Sequence, residues 1–140
     1  MNVLVKIVVA FIISLVSSQI EAQENYNIKV TVEAADSNDG LMFFALYNED
    51  VNFLNTTYKA MKSEIKNNQS TITFEDIPAG IYAVSIFHDE NDNGKMDTNF
   101  FGIPKEDYGC SNNASGFMGP PKWENAKFEL KTDKSITISL

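Results

Sequence analysis

Alternation of apolar and polar residues with a period of two is the feature that most constrains the fold of this chain. Four segments follow it, at 28–33, 71–75, 126–131 and 135–140. A strand with this pattern buries one face against a core and exposes the other face to water. Two further segments, 41–47 and 81–87, are apolar on both faces, which predicts central strands that are covered on each side.

Turn-forming residues separate these segments, at Asp39-Gly40, Asn67-Asn68 and Pro78-Ala79-Gly80. Between them, the pattern predicts a short helical turn at 50–54 and a strand at 58–65. We therefore expect an all-β fold, namely an antiparallel Greek-key β-sandwich of about seven strands, of the immunoglobulin-like or prealbumin-like kind.

The first 22 residues have the organisation of a secretory signal peptide. Lys6 supplies the positive charge, an apolar run occupies 7–16, and Ala22 is a small residue before the predicted cleavage point. A membrane-spanning helix needs about 20 apolar residues, so an uncleaved anchor is the weaker alternative. We expect residues 1–22 to be removed. Residues 23–140 should form a single domain that is secreted or periplasmic and is not an integral membrane protein.

Charge and residue counts exclude several classes of function. The net charge is -8 and all 11 basic residues are lysines, so a phosphate backbone would be repelled and nucleic acid is not an expected partner. A single cysteine and a single histidine exclude an internal disulfide, a cysteine-based zinc cluster and a multi-histidine centre. These counts favour a binding or structural module over an enzyme.

One long loop, near 89–124, holds five of the seven glycines and three of the four prolines. Loops of this length are uncommon in compact domains unless they are functional or disordered. This one is rich in aromatic residues, so we expect it to be ordered and to pack them over one end or edge of the sandwich. Alternatively, Tyr108, Phe117 and Trp123 form an exposed platform for a sugar or a peptide.

The start of this loop resembles a calcium-binding loop. Oxygen-bearing side chains stand at Asp89, Asn91 and Asn93, followed by Gly94 for a sharp reversal. Lys95 would offer its backbone carbonyl, and Asp97 would close the ring of ligands directly or through a water. The predicted metal ligands are therefore Asp89, Asn91, Asn93, Lys95 and Asp97, and the predicted ion is Ca²⁺.

The loop differs from an EF-hand, because Phe100 stands where that motif has its bidentate glutamate. It looks more like the nine-residue calcium loops of secreted β-sandwich repeat modules. A further ligand would come from Glu106 or Asp107. The alternative is a polar turn that holds no ion and is stabilised by its own side-chain to backbone hydrogen bonds.

Three other residues allow a catalytic interpretation beside a structural one. His88 has the parity of the buried positions Tyr82, Val84 and Ile86, so a histidine satisfied by its neighbours is favoured over a general base held by nearby acids. Cys110 is favoured as a small buried side chain, since nothing near it in the sequence would lower its pKa. Ser111 lacks a nucleophile-elbow context. We therefore predict no catalytic residue.

Six stretches together form a specific pattern: 74–84 (FEDIPAGIYAV), 87–91 (FHDEN), 93–104 (NGKMDTNFFGIP), 108–109 (YG), 111–114 (SNNA) and 119–121 (GPP). This pattern resembles the bacterial family known as domain of unknown function 2141, over about residues 27–140. The resemblance implies an exported protein with a single domain and carries no activity. The stretch 74–84 is also similar to the strand-turn-strand of transthyretin-like and carboxypeptidase-regulatory-like sandwiches, which implies a fold and not a function.

The leading hypothesis is a secreted or periplasmic β-sandwich whose long loop is ordered by Ca²⁺ and binds a protein, glycan or small-molecule partner. The first alternative is a hydrolase in which His88 and the acids of 89–97 form the site. The second alternative is a transthyretin-like carrier of a small apolar ligand, which would need a pocket of a few hundred Å³.

Overall fold

The computed structural model describes residues 2–17 and 23–140. Its elements, in chain order, are helix α1 (Val3–Ser17) and strands β1 (Asn25–Glu33), β2 (Leu41–Tyr47), β3 (Lys59–Glu64), β4 (Ser70–Pro78), β5 (Gly80–Asp89) and β6 (Tyr108–Cys110), then helix α2 (Trp123–Ala126) and strands β7 (Phe128–Leu130) and β8 (Lys134–Ser139). Short 3₁₀ turns lie at Asp50–Asn52 and Ser111–Asn113. The prediction of a mostly β chain is confirmed. The short helical turn predicted at 50–54 and the strand predicted at 58–65 are also present.

Two sheets contain these strands. One sheet has the order β4-β1-β8, and the other has the order β3-β2-β5-β6, with β7 also paired to β5. The pairing of β1 with β8 is parallel, so the prediction of an antiparallel fold is wrong for that pair. The structure describes eight strands instead of about seven, because β6 lies inside the region that was predicted as one long loop. A three-residue strand is too short to show an alternation.

A hydrophobic core lies between the two sheets. The alternating residues of β1, β4 and β8 meet those of β2, β5 and β7 there. Its largest fully buried side chains include Phe44, Phe74 and Ile86. Most of the residues predicted to face inward in the alternating segments form this core, since successive residues of a strand point to opposite faces. The segment 126–131 is the exception at its start, because Ala126 ends helix α2 and the strand begins at Phe128.

The outer face of the second sheet is also covered at its centre. Tyr47, Ala83 and Cys110 pack there against Trp123 and Ala126 of helix α2. This second cluster explains why β2 and β5 are apolar on both faces, as the sequence predicted for central strands.

Helix α1 corresponds to the apolar part of the predicted signal peptide. Within the described residues, no helix has the length and apolar character that crossing a membrane requires. The predicted cleavage point after Ala22 lies next to residues 18–22, which are outside the described residues.

Candidate ion-binding loop

The candidate loop begins where β5 ends and returns to the neighbouring strand β6. Strand β5 ends at Asp89, and Tyr108 at the start of β6 is paired with Phe87. The backbone N–H of His88 donates a hydrogen bond of 2.9 Å to the carbonyl of Asp107. Both ends of the loop are thus fixed side by side on the sheet. The predicted loop of 89–124 is interrupted by β6, a 3₁₀ turn and the first residues of α2, so it is shorter than the sequence indicated.

Asp89 forms the base of the loop. Its side chain is completely buried, and Oδ1 accepts a hydrogen bond of 3.1 Å from the backbone N–H of Asn93. Oδ2 accepts another of 2.7 Å from the backbone N–H of Gly94. Gly94 has a φ of +76°, a conformation that favours glycine and allows the chain to reverse over the carboxylate.

Asp97 closes the loop from the other side. Its carboxylate accepts a 2.7 Å hydrogen bond from Asn91 Nδ2 and bonds of 3.0 and 3.1 Å from Asn93 Nδ2. Asn91 Oδ1 also accepts a 3.2 Å bond from the backbone N–H of Asn93. The structure therefore brings together the four predicted ligand side chains, with Asn93 linking Asp89 to Asp97.

Lys95 and Glu106 complete the surroundings. The backbone N–H of Lys95 donates to Asn93 Oδ1 at 2.9 Å, while the residue itself is exposed to solvent. The backbone N–H of Asp97 donates to Glu106 Oε2 at 2.9 Å. Of the two residues named as a further ligand, Glu106 thus contacts the loop, whereas the carbonyl of Asp107 is bonded to β5.

The carboxylates and amides are near one another without forming a coordination shell. Within residues 2–17 and 23–140, no three side chains of His, Cys, Asp or Glu are close enough to hold a metal ion. Asn91 and Asn93 direct amide nitrogens at Asp97. If each side-chain amide rotated by 180°, its oxygen would take the place of its nitrogen. A hard cation prefers that oxygen as a ligand.

Beyond Asp97 the chain forms a narrow apolar tip at 98–104. Asn99 Oδ1 accepts hydrogen bonds from the backbone N–H groups of Phe101 and Ile103, at 2.9 and 3.0 Å. The side chain of Phe100 is 97% exposed and that of Phe101 is 82% exposed. Their rings meet edge to face at 5.5 Å. The prediction that the loop aromatics pack on the sheet is wrong for this pair, because the turn closed by Asn99 holds them outward.

The other aromatic residues of the predicted loop divide between the core and the surface. Trp123 is buried and meets Phe53 edge to face at 5.7 Å, so it packs as predicted. Phe117 and its neighbour Met118 are almost fully exposed. Trp123 is therefore not available for an exposed platform with Tyr108 and Phe117.

His88 lies under the loop and faces the core. Its ring is fully buried, and Nε2 is 2.7 Å from the carbonyl oxygen of Asp39. A carbonyl only accepts hydrogen bonds, so Nε2 carries the proton. Within the described residues, Nδ1 is buried without a hydrogen-bond partner. A ring so enclosed cannot reach a substrate, which argues against His88 as a general base.

Cys110 and Ser111 are both buried. Burial raises the pKa of the Cys110 thiol to about 11. The Ser111 hydroxyl donates to the carbonyl of Ala126 at 2.5 Å and accepts from the N–H of Val84 at 3.0 Å. Ser111 thereby joins β5 to α2, a role that the sequence did not indicate.

Comparison with known proteins identifies a family and no individual relative. A family model described as "Uncharacterized protein conserved in bacteria (DUF2141)" matches residues 30–139. Since the match covers most of the chain, the chain belongs to this family. No curated protein and no solved structure matches it, so the likeness to transthyretin-like sandwiches stays a prediction.

Proposed function

We propose that this member of an uncharacterised bacterial family is an exported β-sandwich module, immunoglobulin-like or prealbumin-like, whose loop at 89–97 binds Ca²⁺. The observation that carries the proposal is the chain of hydrogen bonds that links Asp89, Asn91, Asn93 and Asp97, in which Asn93 bonds to each of the other three. Carboxylate and amide oxygens are the ligands that Ca²⁺ takes in proteins, together with backbone carbonyls. Lys95 would contribute its carbonyl.

The charge of the loop supports a cation. Segment 89–97 contains four acidic residues and one lysine. Asp89 is buried, and burying a charge is costly unless it is paired and hydrogen-bonded. Two backbone N–H groups offset part of this cost. A bound Ca²⁺ would offset more of it and reduce the repulsion between Asp89 and Asp97.

The apolar tip at 98–104 supports a role in binding. Phe100 and Phe101 are far more exposed than large aromatic side chains usually are, and Ile103 beside them is also exposed. Contiguous exposed apolar surface marks sites of interaction with other molecules. The tip begins directly after Asp97, so an ion held by Asp97 would stiffen the position from which the tip extends. A protein, glycan or small molecule is the expected partner class, and the apolar surface favours a protein.

The two alternative functions have weaker support. A hydrolase using His88 requires an accessible imidazole, whereas this ring is fully buried. A carrier of small apolar ligands requires an enclosed apolar pocket. Two clefts of the described residues are open to solvent, and the one within 63–71 is lined by polar and charged residues.

Thermal unfolding of the full-length chain in millimolar Ca²⁺, in Mg²⁺ and in excess chelator tests the proposal. Ligand at about 100 times its dissociation constant stabilises the folded state by about 2.7 kcal/mol, which for a domain of this size raises Tm by about 10 °C. We expect that rise in Ca²⁺ only. An identical Tm in all three solutions would contradict the calcium site.

A further inference from the structure

A cleft lies between the edges of the two sheets, apart from the calcium loop that joins β5 to β6. Strand β3 is the edge of one sheet and β4 is the edge of the other. A tight turn at 67–68 joins them, in which the backbones of Lys66 and Gln69 exchange two hydrogen bonds. Beyond the turn the strands diverge into separate sheets. The cleft that results has a volume of about 450 Å³ and is lined by residues 59–61 and 73–76.

Strand β4 has backbone hydrogen-bonding groups that are open on the side of this cleft. The N–H of Leu140 donates to the carbonyl of Glu33, so the backbone groups of that residue point to β8. Because these groups alternate along a strand, the neighbouring residue of β1 bonds instead to β4, opposite Ser70. The N–H and C=O groups of Thr71 and Thr73 therefore point away from β1, to a side on which no described strand pairs with β4.

The two edges differ in charge. Strand β3 carries Lys59, Lys62 and Glu64 among its six residues, and charged side chains on an edge strand, lysine above all, oppose the addition of another strand. Residues 69–74 carry no charge, and their threonine, isoleucine and phenylalanine side chains favour extended structure. Strand addition is therefore favoured on β4.

Two side chains of β3 lie beside the open edge of β4. Lys59 Nζ donates a 3.2 Å hydrogen bond to the carbonyl of Glu75, and the described residues place no carboxylate in an ion pair with this ammonium. Met61 lies opposite the core residue Phe44 in the ladder with β2. It is nevertheless 40% exposed, because no described strand lies beyond β3 to cover it. A strand added to β4 would meet both a cation and an apolar side chain.

We propose that the edge of β4 at 70–74 binds an extended peptide segment of another protein, which adds to the sheet as a strand antiparallel to β4. The peptide backbone bonds to Thr71 and Thr73, as in other cases of strand addition to a sheet edge. Its inward side chains alternate along the strand and face the cleft. The segment therefore carries an acidic residue for Lys59 and, two positions along, an apolar residue for Met61. The acid replaces Glu75 as the partner of the ammonium.

A second copy of the chain fits this edge less well. The open edge ends at the turn at 67–68 on one side. On the other side it ends at a bulge opposite Asn27, where Asp76 has a φ of +55°. Two edges this short would bury much less than the roughly 1,000 Å² of a specific interface between folded proteins. A peptide binds through main-chain hydrogen bonds and a few side-chain contacts, which this edge offers.

Amide NMR of the full-length chain tests the site with a capped synthetic peptide, Thr-Glu-Thr-Val-Thr-Val-Thr. In the antiparallel register the peptide places its glutamate near Lys59 and its first valine near Met61. We expect the amide resonances of Thr71 and Thr73 to shift, and their hydrogen exchange, fast in the free protein, to become slower. A peptide that is N-methylated at its third and fifth residues keeps the side chains but lacks the N–H groups that face β4. It should bind about tenfold more weakly.

Lys59→Glu is the decisive variant, because it reverses the charge that receives the peptide carboxylate and leaves the backbone of β4 unchanged. We expect it to weaken binding of the peptide by about fivefold or more. Lys62→Glu is the matched control, since Lys62 lies on the same strand but on its other face, over the ring of Phe43. It should bind the peptide as the wild type does.

The proposal is overturned if the peptide at millimolar concentration leaves the amides of Thr71 and Thr73 unchanged, if the N-methylated peptide binds equally, or if the two lysine variants bind alike. Without peptide, slow exchange of these two amides that depends on protein concentration would show that a second copy occupies the edge. That result would also overturn it.

Discussion

Replacing Asp89 by asparagine should destabilise the protein by removing the charge at the base of the loop. The carboxylate is fully buried and accepts two backbone hydrogen bonds, of 3.1 Å from Asn93 and 2.7 Å from Gly94. Asparagine retains one acceptor oxygen. It places an NH₂ group against the second N–H, so one bond is lost and the other is no longer charge-assisted.

The magnitude follows from these two contacts. A hydrogen bond to a charged group contributes about 1.5–3 kcal/mol. Removing the negative charge also relieves repulsion from the other acidic residues of the loop. This raises the free energy of unfolding of the variant by about 1 kcal/mol, the size of an interaction between charges near a surface. We therefore expect Asp89→Asn to lower the free energy of unfolding by about 2 kcal/mol in chelator. At a Ca²⁺ concentration near 100 times Kd, the difference from wild type should grow to about 5 kcal/mol, because only the wild type gains about 2.7 kcal/mol.

Urea denaturation of the full-length chain, in chelator and in Ca²⁺, measures both differences. Asp92→Asn is the matched control, because it removes the same charge from an exposed position of the same loop. Asp92 has a φ of +53°, a conformation that asparagine also tolerates. The reasoning is refuted if the two variants lose equal stability in chelator, or if Ca²⁺ stabilises Asp89→Asn as much as wild type.

Three further predictions concern other parts of the chain. Export predicts that intact-mass measurement of the protein recovered from bacterial cells gives a chain beginning at Gln23; a chain that retains residues 1–22 would contradict it. The pKa of Cys110, raised to about 11 by burial, predicts that a thiol reagent at pH 8 reacts slowly until the protein is unfolded, and rapid reaction of the native protein would contradict this. Phe101→Ser should change the free energy of unfolding by less than about 0.5 kcal/mol, whereas Trp123→Ala should cost about 3–5 kcal/mol in the same urea assay.

The strands were predictable where the local pattern is long enough to show its period. Segments such as 28–33 and 135–140 alternate over several residues, and the turns that separate them carry glycine, proline or asparagine. Strand β6 has three residues and gave no such signal. The parallel pairing of β1 with β8 joins the two ends of the described domain, and no local pattern encodes a contact at that separation.

In the candidate site, too, the contacts between residues close in sequence were predictable and other features were not. The contacts of Asp89, Asn91, Asn93 and Asp97 lie within nine residues of sequence, so spacing alone was sufficient to predict their proximity. The exposure of Phe100 was not predictable, because it depends on a turn that holds an apolar side chain away from the core.

The surroundings of His88 depend on residues that are distant in sequence. Its parity with Ile86 correctly indicated a position facing the core. Its contacts with the backbone carbonyls of Asp39 and Asp107 come from a turn and a strand end that only the folded sheets bring together. The Asp39-Gly40 turn was identified from sequence, but its contact with the start of the loop was not.

The central claim is that residues 89–97 bind Ca²⁺, and a titration of the full-length chain followed by amide NMR tests it most directly. Asn91 and Asn93 now donate their side-chain N–H groups to Asp97. Ligation would turn those amides toward the ion. We expect their NH₂ resonances and the backbone amide of Gly94 to move together with one equivalent of Ca²⁺, and not with Mg²⁺. Resonances that stay unchanged at millimolar Ca²⁺ would show that 89–97 is a hydrogen-bonded turn without an ion.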